Sequence, residues 1–387
     1  MTAGQVAPGF EAVAATFAEV VPDDGPGAAF AATVDGRPVA DLWGGTRDDD
    51  GARWRDDTVC VLFSGTKGVV ATAMLVLVER GALALEQPVA ELWPEFAAAG
   101  KDQITVRELM SHRAGLHNVR AVAPTRDVLL DADRLTRALA EAAPDPRRLK
   151  GPGYHAVTYG NLVAEIAQRV TGKDFTTLLR EEVAGPLGVD EFWFHVPQDH
   201  RVRIARVFPT VKPGPMPWST TGRMLSAVPG LRAIAEAGMA EGFDELVRSP
   251  EAHDAVMPGW NGVFSAEALA KMYGALANDG VIDGQRYLSS ERIQEMSKTQ
   301  TRNRDYVLGL RPNWRLGYHP AWLRTPEIPR RSIGHYGFGG SGAWADPDTG
   351  LSFAFVSNRL GNNLQPIADG RMSRIGGAAL EAARRAD

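Results

Sequence analysis

The order of apolar and polar residues near the start of the chain predicts a helix followed by paired strands. Residues 8–20 show the spacing of three and four that is typical of an amphipathic helix. Two apolar-rich runs, 28–34 and 37–43, follow and are joined by Asp35-Gly36. An Asp-Gly pair between such runs favours a β-hairpin, because both residues tolerate the positive φ angles of a two-residue turn.

Helical spacing returns after this hairpin and continues through the middle of the chain. A run rich in Ala, Leu, Val and Met covers 66–80 and ends at Gly81, a residue type that commonly follows a helix. Further helices are clearest at 106–110, 134–142, 162–170, 175–182 and 266–278.

Residues 200–260 form a long segment with irregular spacing. Prolines interrupt it at 209, 213, 215, 217, 229, 250 and 258. A segment of this kind is either a substrate-shaping insertion or a set of short helices that the pattern does not resolve. Its large apolar side chains could line an acyl or alcohol pocket or belong to the core: Phe208, Met216, Trp218, Met224, Leu225 and Trp260.

Strand patterns reappear after about residue 305. The runs 341–346 and 351–357 flank the turn sequence Pro347-Asp348-Thr349-Gly350, and 367–385 then has helical spacing. The simplest architecture is an α/β (α+β) fold whose antiparallel sheet is built from both chain ends and flanked by helices. We predict a discontinuous α/β domain of residues 1–85 and 305–387. A mostly helical domain of residues 86–304 is inserted between its two parts.

Composition excludes several classes of function. The 387 residues carry a formal charge of −5, which is no electrostatic signal for nucleic acid or an anionic membrane. A single cysteine, Cys60, excludes an intrachain disulfide. The longest nearly apolar run, 68–78, is shorter than the roughly 20 residues of a membrane-spanning helix, and the first residues lack the features of a secretory signal. We expect a cytoplasmic protein with no nucleic-acid or membrane partner.

Ser64 and Lys67 are the first candidates for chemistry. Three residues apart at a helix start, they lie on the same face. A serine hydroxyl needs a neighbouring base to act as a nucleophile, and a lysine can be that base if burial and the helix N-terminus lower its pKa. The backbone N–H of Ser64 is a candidate donor to an oxyanion. The alternative is a capping serine followed by a solvated lysine.

Two further motifs contain groups that could assist this pair. In Tyr159-Gly160-Asn161 the phenol could transfer a proton and Asn161 could bind the lysine or the substrate, or Tyr159 could simply be packed at the start of a helix. The glycine-rich run 334–342 leads into a strand, as expected where backbone approaches a substrate closely; a flexible turn without a ligand is the alternative. A dinucleotide-binding loop does not fit, because a strand and not a helix follows it.

Together these motifs resemble the three conserved boxes of the serine β-lactamase and penicillin-binding protein superfamily. They are Ser64-x-x-Lys67, Tyr159-x-Asn161 and His335-Tyr336-Gly337. The surrounding stretches 61–81, 104–116 and 343–358 resemble this superfamily too, and the likeness extends from about residue 25 to the end. Within it the chain is most similar to the class C-related family VIII carboxylesterases.

The resemblance implies a β-lactamase-like fold and a role for each matching residue. Ser64 would be the acylated nucleophile, Lys67 its base and Tyr159 the proton relay. The backbone N–H groups of Ser64 and Phe338 would form the oxyanion hole. The implied substrate-binding positions are Asn161, His335, Tyr336, Gly337 and Asn358.

The third box departs from that of true class C β-lactamases, which begins Lys-Thr-Gly. His335 and Tyr336 remove a fixed positive charge and introduce a bulky side chain at the strand edge, which favours neutral esters over carboxylate-bearing substrates. We therefore predict a serine carboxylesterase that cleaves small-molecule esters through an acyl-enzyme and needs no metal or organic cofactor. The histidines show no metal-ligand spacing, and no Gly-x-Ser-x-Gly elbow supports a Ser-His-Asp triad. The alternatives are a β-lactamase or D-amino-acid-specific peptidase, an acyltransferase and a non-catalytic binding protein.

Overall fold

The structure, a computed structural model, describes residues 2–208, 218–228, 230–360 and 370–386. Several features noted in the sequence lie outside these ranges: Pro209, Pro213, Pro215, Met216, Pro217 and Pro229, together with the side chain of Trp218.

The strands are short except near the two ends of the chain. They are β1 (Ala3–Val6), β2 (Ala28–Val34), β3 (Arg37–Gly44), β4 (Cys60–Val61), β5 (Phe192–Trp193), β6 (Val263–Phe264), β7 (Val281–Ile282), β8 (Gln285–Arg286), β9 (Ile333–Tyr336), β10 (Gly342–Asp346) and β11 (Leu351–Ser357). Six of them form an antiparallel sheet in the order β1-β3-β2-β11-β10-β9. The strands β4, β6 and β5 form a second sheet.

The helices cover most of the chain between these strands. They are α1 (Glu11–Val20), α2 (Thr66–Glu79), α3 (Val89–Leu92), α4 (Val106–Met110), α5 (Val119–Val122), α6 (Arg126–Leu130), α7 (Ala132–Glu141), α8 (Thr158–Thr171), α9 (Phe175–Leu179), α10 (Gly185–Leu187), α11 (Trp218–Ser226), α12 (Arg232–Gly238), α13 (Phe243–Leu246), α14 (Ala266–Ala277), α15 (Ser290–Ser297) and α16 (Gly370–Ala386). Among the described residues, no helix combines the length and apolar character needed to cross a membrane; the cytoplasmic location stays a prediction.

Alternation along the two central strands gives the main sheet a core on each face. Phe30 of β2 and Phe353 of β11 stack at 5.9 Å on the face that α1 and α16 cover. The cross-strand pair Ala31 and Ala354 points to the opposite core, where their small side chains leave room for α14. β2 comes from the start of the chain and β11 from its end, so the predicted sheet built from both ends is confirmed.

Both predicted hairpins are present. Asp35 and Gly36 join β2 to β3 with φ angles of 49° and 74°, as a two-residue turn of this type requires. The turn between β10 and β11 is closed by Asp346, whose carboxylate accepts a bond from the Thr349 hydroxyl at 2.9 Å. Gly350 ends this turn at a φ of 63°.

The inserted region differs in detail from its prediction. The part of 200–260 that the structure describes contains the short helices α11, α12 and α13. Trp260 lies in the buried core, whereas Met224 is exposed. α14 lies inside the predicted helical domain but packs on the main sheet, because its apolar face covers β2 and β11. The exact domain bounds stay a prediction.

Candidate active site

Ser64 lies in a short 3-10 helix, Phe63–Gly65, that runs directly into α2. Phe63 adopts a φ of 50°, a region that few residues other than glycine occupy. Its ring packs edge-on against Phe338 with centroids 6.0 Å apart, and the preceding Leu62 N–H donates to the Gly262 carbonyl at 2.9 Å. These contacts hold the bend that places Ser64 at the start of the helix.

Lys67 lies one turn later, and its side chain is fully buried. Its Nζ is 3.1 Å from the Ser64 Oγ and donates to the carbonyls of Ala156 and Gly259, both at 2.7 Å. No ion pair to Lys67 exists among the described residues. Burial lowers the pKa of Lys67 well below its ordinary value. A neutral amine here has two hydrogens for the two carbonyls and a lone pair for the Ser64 hydroxyl, which is the arrangement of a general base.

The tyrosine beside this pair is Tyr154. Its hydroxyl hydrogen-bonds to Ser64, and the Lys67 Nζ lies 5.2 Å from its ring centroid. Burial raises the pKa of Tyr154, so the phenol keeps its proton at neutral pH. The non-helical segment from Tyr154 to Ala156 thus supplies both a hydroxyl for Ser64 and a carbonyl for Lys67.

The assignment of Tyr159 as the proton relay is contradicted by this geometry. Its hydroxyl is buried and has no hydrogen-bond partner among the described residues. It lies against Gly317, where an added Cβ would come within 2.3 Å of it and within 2.4 Å of the Ala71 Cβ. Ala71 is one turn beyond Lys67 on α2, so the Tyr159 hydroxyl lies further along the helix than the Ser64–Lys67 pair. Sequence reasoning missed Tyr154, for which the signal was its position directly after Gly151-Pro152-Gly153, before α8 begins.

The other two residues of the second box, Gly160 and Asn161, both lie in α8. Asn161 lies inside α8, and its Oδ1 has no partner in the described part of the chain; no hydrogen bond joins it to Lys67. Gly160 packs directly on the backbone that holds Lys67, since an added Cβ would lie 1.9 Å from the Gly259 nitrogen. Gly160 is therefore the position of this box at which close approach is required.

The third box lies at the edge of the main sheet, with His335 facing the site. Its ring centroid is 6.2 Å from that of Tyr154, and its Nδ1 is 2.6 Å from the Tyr336 carbonyl oxygen. Because a carbonyl only accepts, Nδ1 carries the proton and Nε2 remains an acceptor. The Nε2 is buried without a partner among the described residues, and burial lowers the pKa of His335 well below its ordinary value. His335 is thus a neutral acceptor.

Tyr336 points to the other side of the sheet. Its ring packs against Trp344 at 4.2 Å, and its hydroxyl donates to the Trp322 carbonyl at 2.8 Å. The alternation of side chains along β9 is the reason: a strand that turns His335 towards Ser64 turns its neighbour away. The expectation that the Tyr336 side chain narrows the substrate side of the strand is wrong.

The backbone after β9 lies beside the serine segment. Gly337 has no room for a side chain, because an added Cβ would lie 2.1 Å from the Leu62 carbonyl oxygen. The Gly337 N–H donates to the Ser341 carbonyl at 2.6 Å and closes the loop that contains Phe338. The contact of Phe338 with Phe63 brings this loop next to Ser64. The oxyanion hole of Ser64 and Phe338 N–H groups stays a prediction that this placement allows.

Comparison with known proteins identifies the relatives of this arrangement. The sequence profile of the family described as Beta-lactamase matches residues 13–374. The chain belongs to the beta-lactamase family. It is 39% identical over 374 residues to the "Esterase/beta-lactamase LipL" of Mycobacterium tuberculosis, covering 92% of this chain and 83% of that protein. The resemblance inferred from the motifs is confirmed.

Solved structures in this family share the fold over nearly the full chain. A family VIII carboxylesterase superposes with a TM-score of 0.88 at 32% identity, covering 99% of this chain and 100% of that one. A penicillin-binding protein homologue from Caulobacter crescentus superposes with a TM-score of 0.84 at 34% identity, with coverage of 99% and 100%. The predicted β-lactamase-like fold is confirmed.

Asn358, the last residue carried over from the beta-lactamase family, is not available to a substrate carboxylate. It is fully buried, and its amide Nδ2 donates to the carbonyls of Thr46 at 3.0 Å and Arg47 at 2.9 Å. Both amide hydrogens are therefore used by the protein backbone. A cation that sequence reasoning missed lies nearby: Arg371 of α16 donates to the Gly339 carbonyl at 3.1 Å and holds the Phe338 loop. No motif marks Arg371 in the sequence.

Across the described ranges, no cluster of three His, Cys, Asp or Glu side chains is arranged to hold a metal ion.

Proposed function

We propose that the protein is a serine carboxylesterase that cleaves small-molecule carboxylic esters through an acyl-enzyme on Ser64. The observation that carries this proposal is the 3.1 Å distance between Ser64 Oγ and Lys67 Nζ. Lys67 is fully buried, and the other two hydrogen bonds of its Nζ go to backbone carbonyls. The names of its relatives, an esterase/beta-lactamase and a carboxylesterase, support the same reaction class.

Acylation begins when the Lys67 lone pair takes the Ser64 proton and the Ser64 oxygen attacks the ester carbonyl carbon. The carbonyl electron pair moves to oxygen, and the N–H groups of Ser64 and Phe338 stabilise that negative charge. The intermediate then collapses by breaking the bond to the alcohol oxygen. That oxygen takes the hydroxyl proton of Tyr154, which is replaced from the Lys67 ammonium.

Deacylation repeats these proton movements with water. A water molecule gives a proton to Lys67 through Tyr154 and attacks the acyl carbon. The bond to Ser64 then breaks, the Ser64 oxygen regains its proton, and the carboxylic acid leaves. The raised pKa of Tyr154 suits this role, because a phenol that stays protonated can pass a proton on in either direction.

The third box favours neutral esters. Where a lysine ammonium would bind a substrate carboxylate, His335 offers a buried, neutral acceptor nitrogen. A carboxylate at this position would meet an acceptor lone pair and lose its hydration, which is unfavourable. A neutral ester with a donor group, or with an apolar alcohol part, avoids this cost.

The nucleophile is tested by labelling with a fluorophosphonate and mapping the adduct by mass spectrometry. We expect one adduct on Ser64, and none in Ser64→Ala. An adduct on another residue of the wild-type protein would contradict the site. Esterase activity that survives Ser64→Ala would contradict the mechanism.

The rival activities share the acylation step, so the test compares substrates. Turnover of p-nitrophenyl butyrate should exceed that of a chromogenic cephalosporin by at least about 100-fold in kcat/KM, a difference of about 2.7 kcal/mol. A preference for the cephalosporin would favour a β-lactamase. Faster product formation when an alcohol acceptor is added would favour an acyltransferase, and no turnover of either substrate would favour a binding protein.

A further inference from the structure

Asp305 is a buried carboxylate that none of the motifs includes. Its side chain is fully buried, and no ion pair to it exists among the described residues. Four N–H groups satisfy it instead. Oδ1 accepts from the backbone of Val307 and Leu308 at 2.9 Å and of Tyr154 at 3.2 Å, while Oδ2 accepts from the Trp314 indole at 2.8 Å.

The bonds to Oδ1 connect a tight turn to the backbone of the site tyrosine. Val307 and Leu308 close the turn on Asp305 itself, and Tyr154 lies about 150 residues earlier in the chain. Next to this contact the Tyr306 N–H donates to the Pro152 carbonyl at 3.0 Å. Two hydrogen bonds therefore run in opposite directions between the turn and the segment that contains Tyr154, which fixes its backbone.

The hydrogen bond to Oδ2 of Asp305 holds the Trp314 ring, which packs against the phenol ring of Tyr154. Trp314 is buried and stacks on Tyr154 with centroids 5.3 Å apart and planes 11° from parallel. Its other ring neighbours include His112 at 4.4 Å, His319 at 5.8 Å and His335 at 6.0 Å. Trp314 thus packs against the site tyrosine and against histidines that also contact that tyrosine, and its orientation sets the plane in which the Tyr154 ring can lie.

We propose that Asp305 is a positioning residue that keeps the Tyr154 hydroxyl at Ser64, through the backbone of Tyr154 and through the Trp314 ring. The proposal rests on the proposed role of Tyr154 in proton transfer. A carboxylate suits the task because it accepts at both oxygens, one for each connection. Burying it without a cation is costly, so its four donors are all needed.

Asp305→Asn removes the hydrogen bond to Trp314 and keeps the hydrogen bonds to the backbone. The amide oxygen can replace Oδ1 and keep the three backbone N–H donors, but the amide nitrogen then faces the Trp314 N–H, donor against donor. Trp314→Phe removes the same bond from the other side and keeps an aromatic ring. If the two residues act through this bond, the double variant should lose little more activity than Trp314→Phe alone.

The readout is the ratio of kcat/KM for an ethyl ester to kcat/KM for a p-nitrophenyl ester of the same acid. An alkoxide needs the proton from Tyr154, whereas p-nitrophenolate leaves without one. Asp305→Asn should lower kcat/KM about 10- to 100-fold for the ethyl ester and less than about threefold for the p-nitrophenyl ester. Active-site titration with a fluorophosphonate gives the concentration of active enzyme, so a loss of folded protein does not lower the calculated kcat/KM.

Asp346→Asn is the matched control, because Asp346 is also a buried aspartate that closes a turn, between β10 and β11. It should leave the ratio unchanged. If Asp305→Asn lowers kcat/KM equally for both substrates, or behaves like Asp346→Asn, the positioning role is overturned. If Tyr154→Phe itself leaves the ratio unchanged, the proposed role of Tyr154 fails and the Asp305 proposal fails with it.

Discussion

Two lysines in the described part of the chain are fully buried, and their acceptors give them different chemistry. Lys101 donates to three carbonyls, those of Ala98 at 2.6 Å, Ala140 at 2.9 Å and Ala142 at 2.6 Å. Burial lowers the pKa of Lys101 too, but its three carbonyl acceptors use all three hydrogens of an ammonium, and none of them can donate a hydrogen to an amine lone pair. Lys67 has two carbonyl acceptors and the Ser64 hydroxyl, a group that can itself donate. This difference makes Lys67 the base.

The lowered pKa of Lys67 predicts a pH-dependent stability that Lys67→Met lacks. Between that lowered pKa and the ordinary value of 10.5, the unfolded chain holds a proton that the folded protein has lost. The free energy of unfolding of the wild type, relative to Lys67→Met, should therefore rise with pH by up to about 1.4 kcal/mol per unit in this window. Below the window the difference should be constant.

Urea denaturation of both proteins from about pH 6 to about pH 9.5 measures this difference. The pH at which the slope begins gives the pKa of Lys67 in the folded protein. Parallel stability curves across the range would mean that Lys67 keeps its proton.

Tyr154 and Tyr159 form a matched pair, since each can lose its hydroxyl without losing its ring. Tyr154→Phe should lower kcat for an alkyl ester by about 10²–10⁴-fold, because the alcohol then leaves without a proton donor. Tyr159→Phe should change kcat less than about threefold, because its hydroxyl has no partner among the described residues. Steady-state kinetics of both variants decide between them, and the reverse order of effects would restore the assignment of Tyr159.

At the scale of elements, α8 approaches the loop that holds Lys67 at a single glycine. Gly160 lies in the first turn of α8, where an added Cβ would come within 1.9 Å of the Gly259 nitrogen and 2.0 Å of the Pro258 carbonyl carbon. Backbone cannot move aside as the end of a flexible side chain can. Any side chain here must therefore push α8 away from Gly259, whose carbonyl oxygen is 2.7 Å from Lys67 Nζ.

Gly160→Ala should consequently lower both stability and activity. We expect a loss of about 1–3 kcal/mol in the free energy of unfolding and a loss of kcat beyond what the unfolded fraction explains. Gly370→Ala is the control, because an added Cβ there, at the start of α16, meets no atom of the described residues within 4 Å. Denaturant titration and kinetics measure both quantities, and a Gly160→Ala protein with wild-type kcat would show that the carbonyl position does not matter.

The Tyr159-x-Asn161 motif pointed to a tyrosine that lies inside α8. The pattern places a helix at 162–170, whereas α8 begins at Thr158. Tyr159 is therefore inside the helix, and its side chain direction follows from the helical turn. Tyr154 lies in the non-helical segment before α8, which presents both a side chain and a carbonyl to the Ser64–Lys67 pair. Because the pattern placed the start of this helix four residues too late, the sequence did not show that Tyr159 is helical and Tyr154 is not.

At the scale of the whole molecule, the sheet joins the two ends of the chain at its centre. β2 and β11 pair along their full length, from Ala28 with Ser357 to Val34 with Leu351. Ser64 precedes the buried helix α2 behind this sheet, while His335 lies on its edge strand β9. The site therefore forms only when distant parts of the chain have come together.

The sequence by itself determined the features that depend on local order. Apolar spacing and turn residues are local, so the helices of ten or more residues, both hairpins and the sheet from both ends could be predicted, and so could the Ser64–Lys67 pair one helical turn apart. Only the tertiary structure decided what meets that pair. Tyr154, Asp305 and Trp314 converge through contacts between segments far apart in sequence, and burial, which sets the pKa of Lys67, is a property of the assembled core.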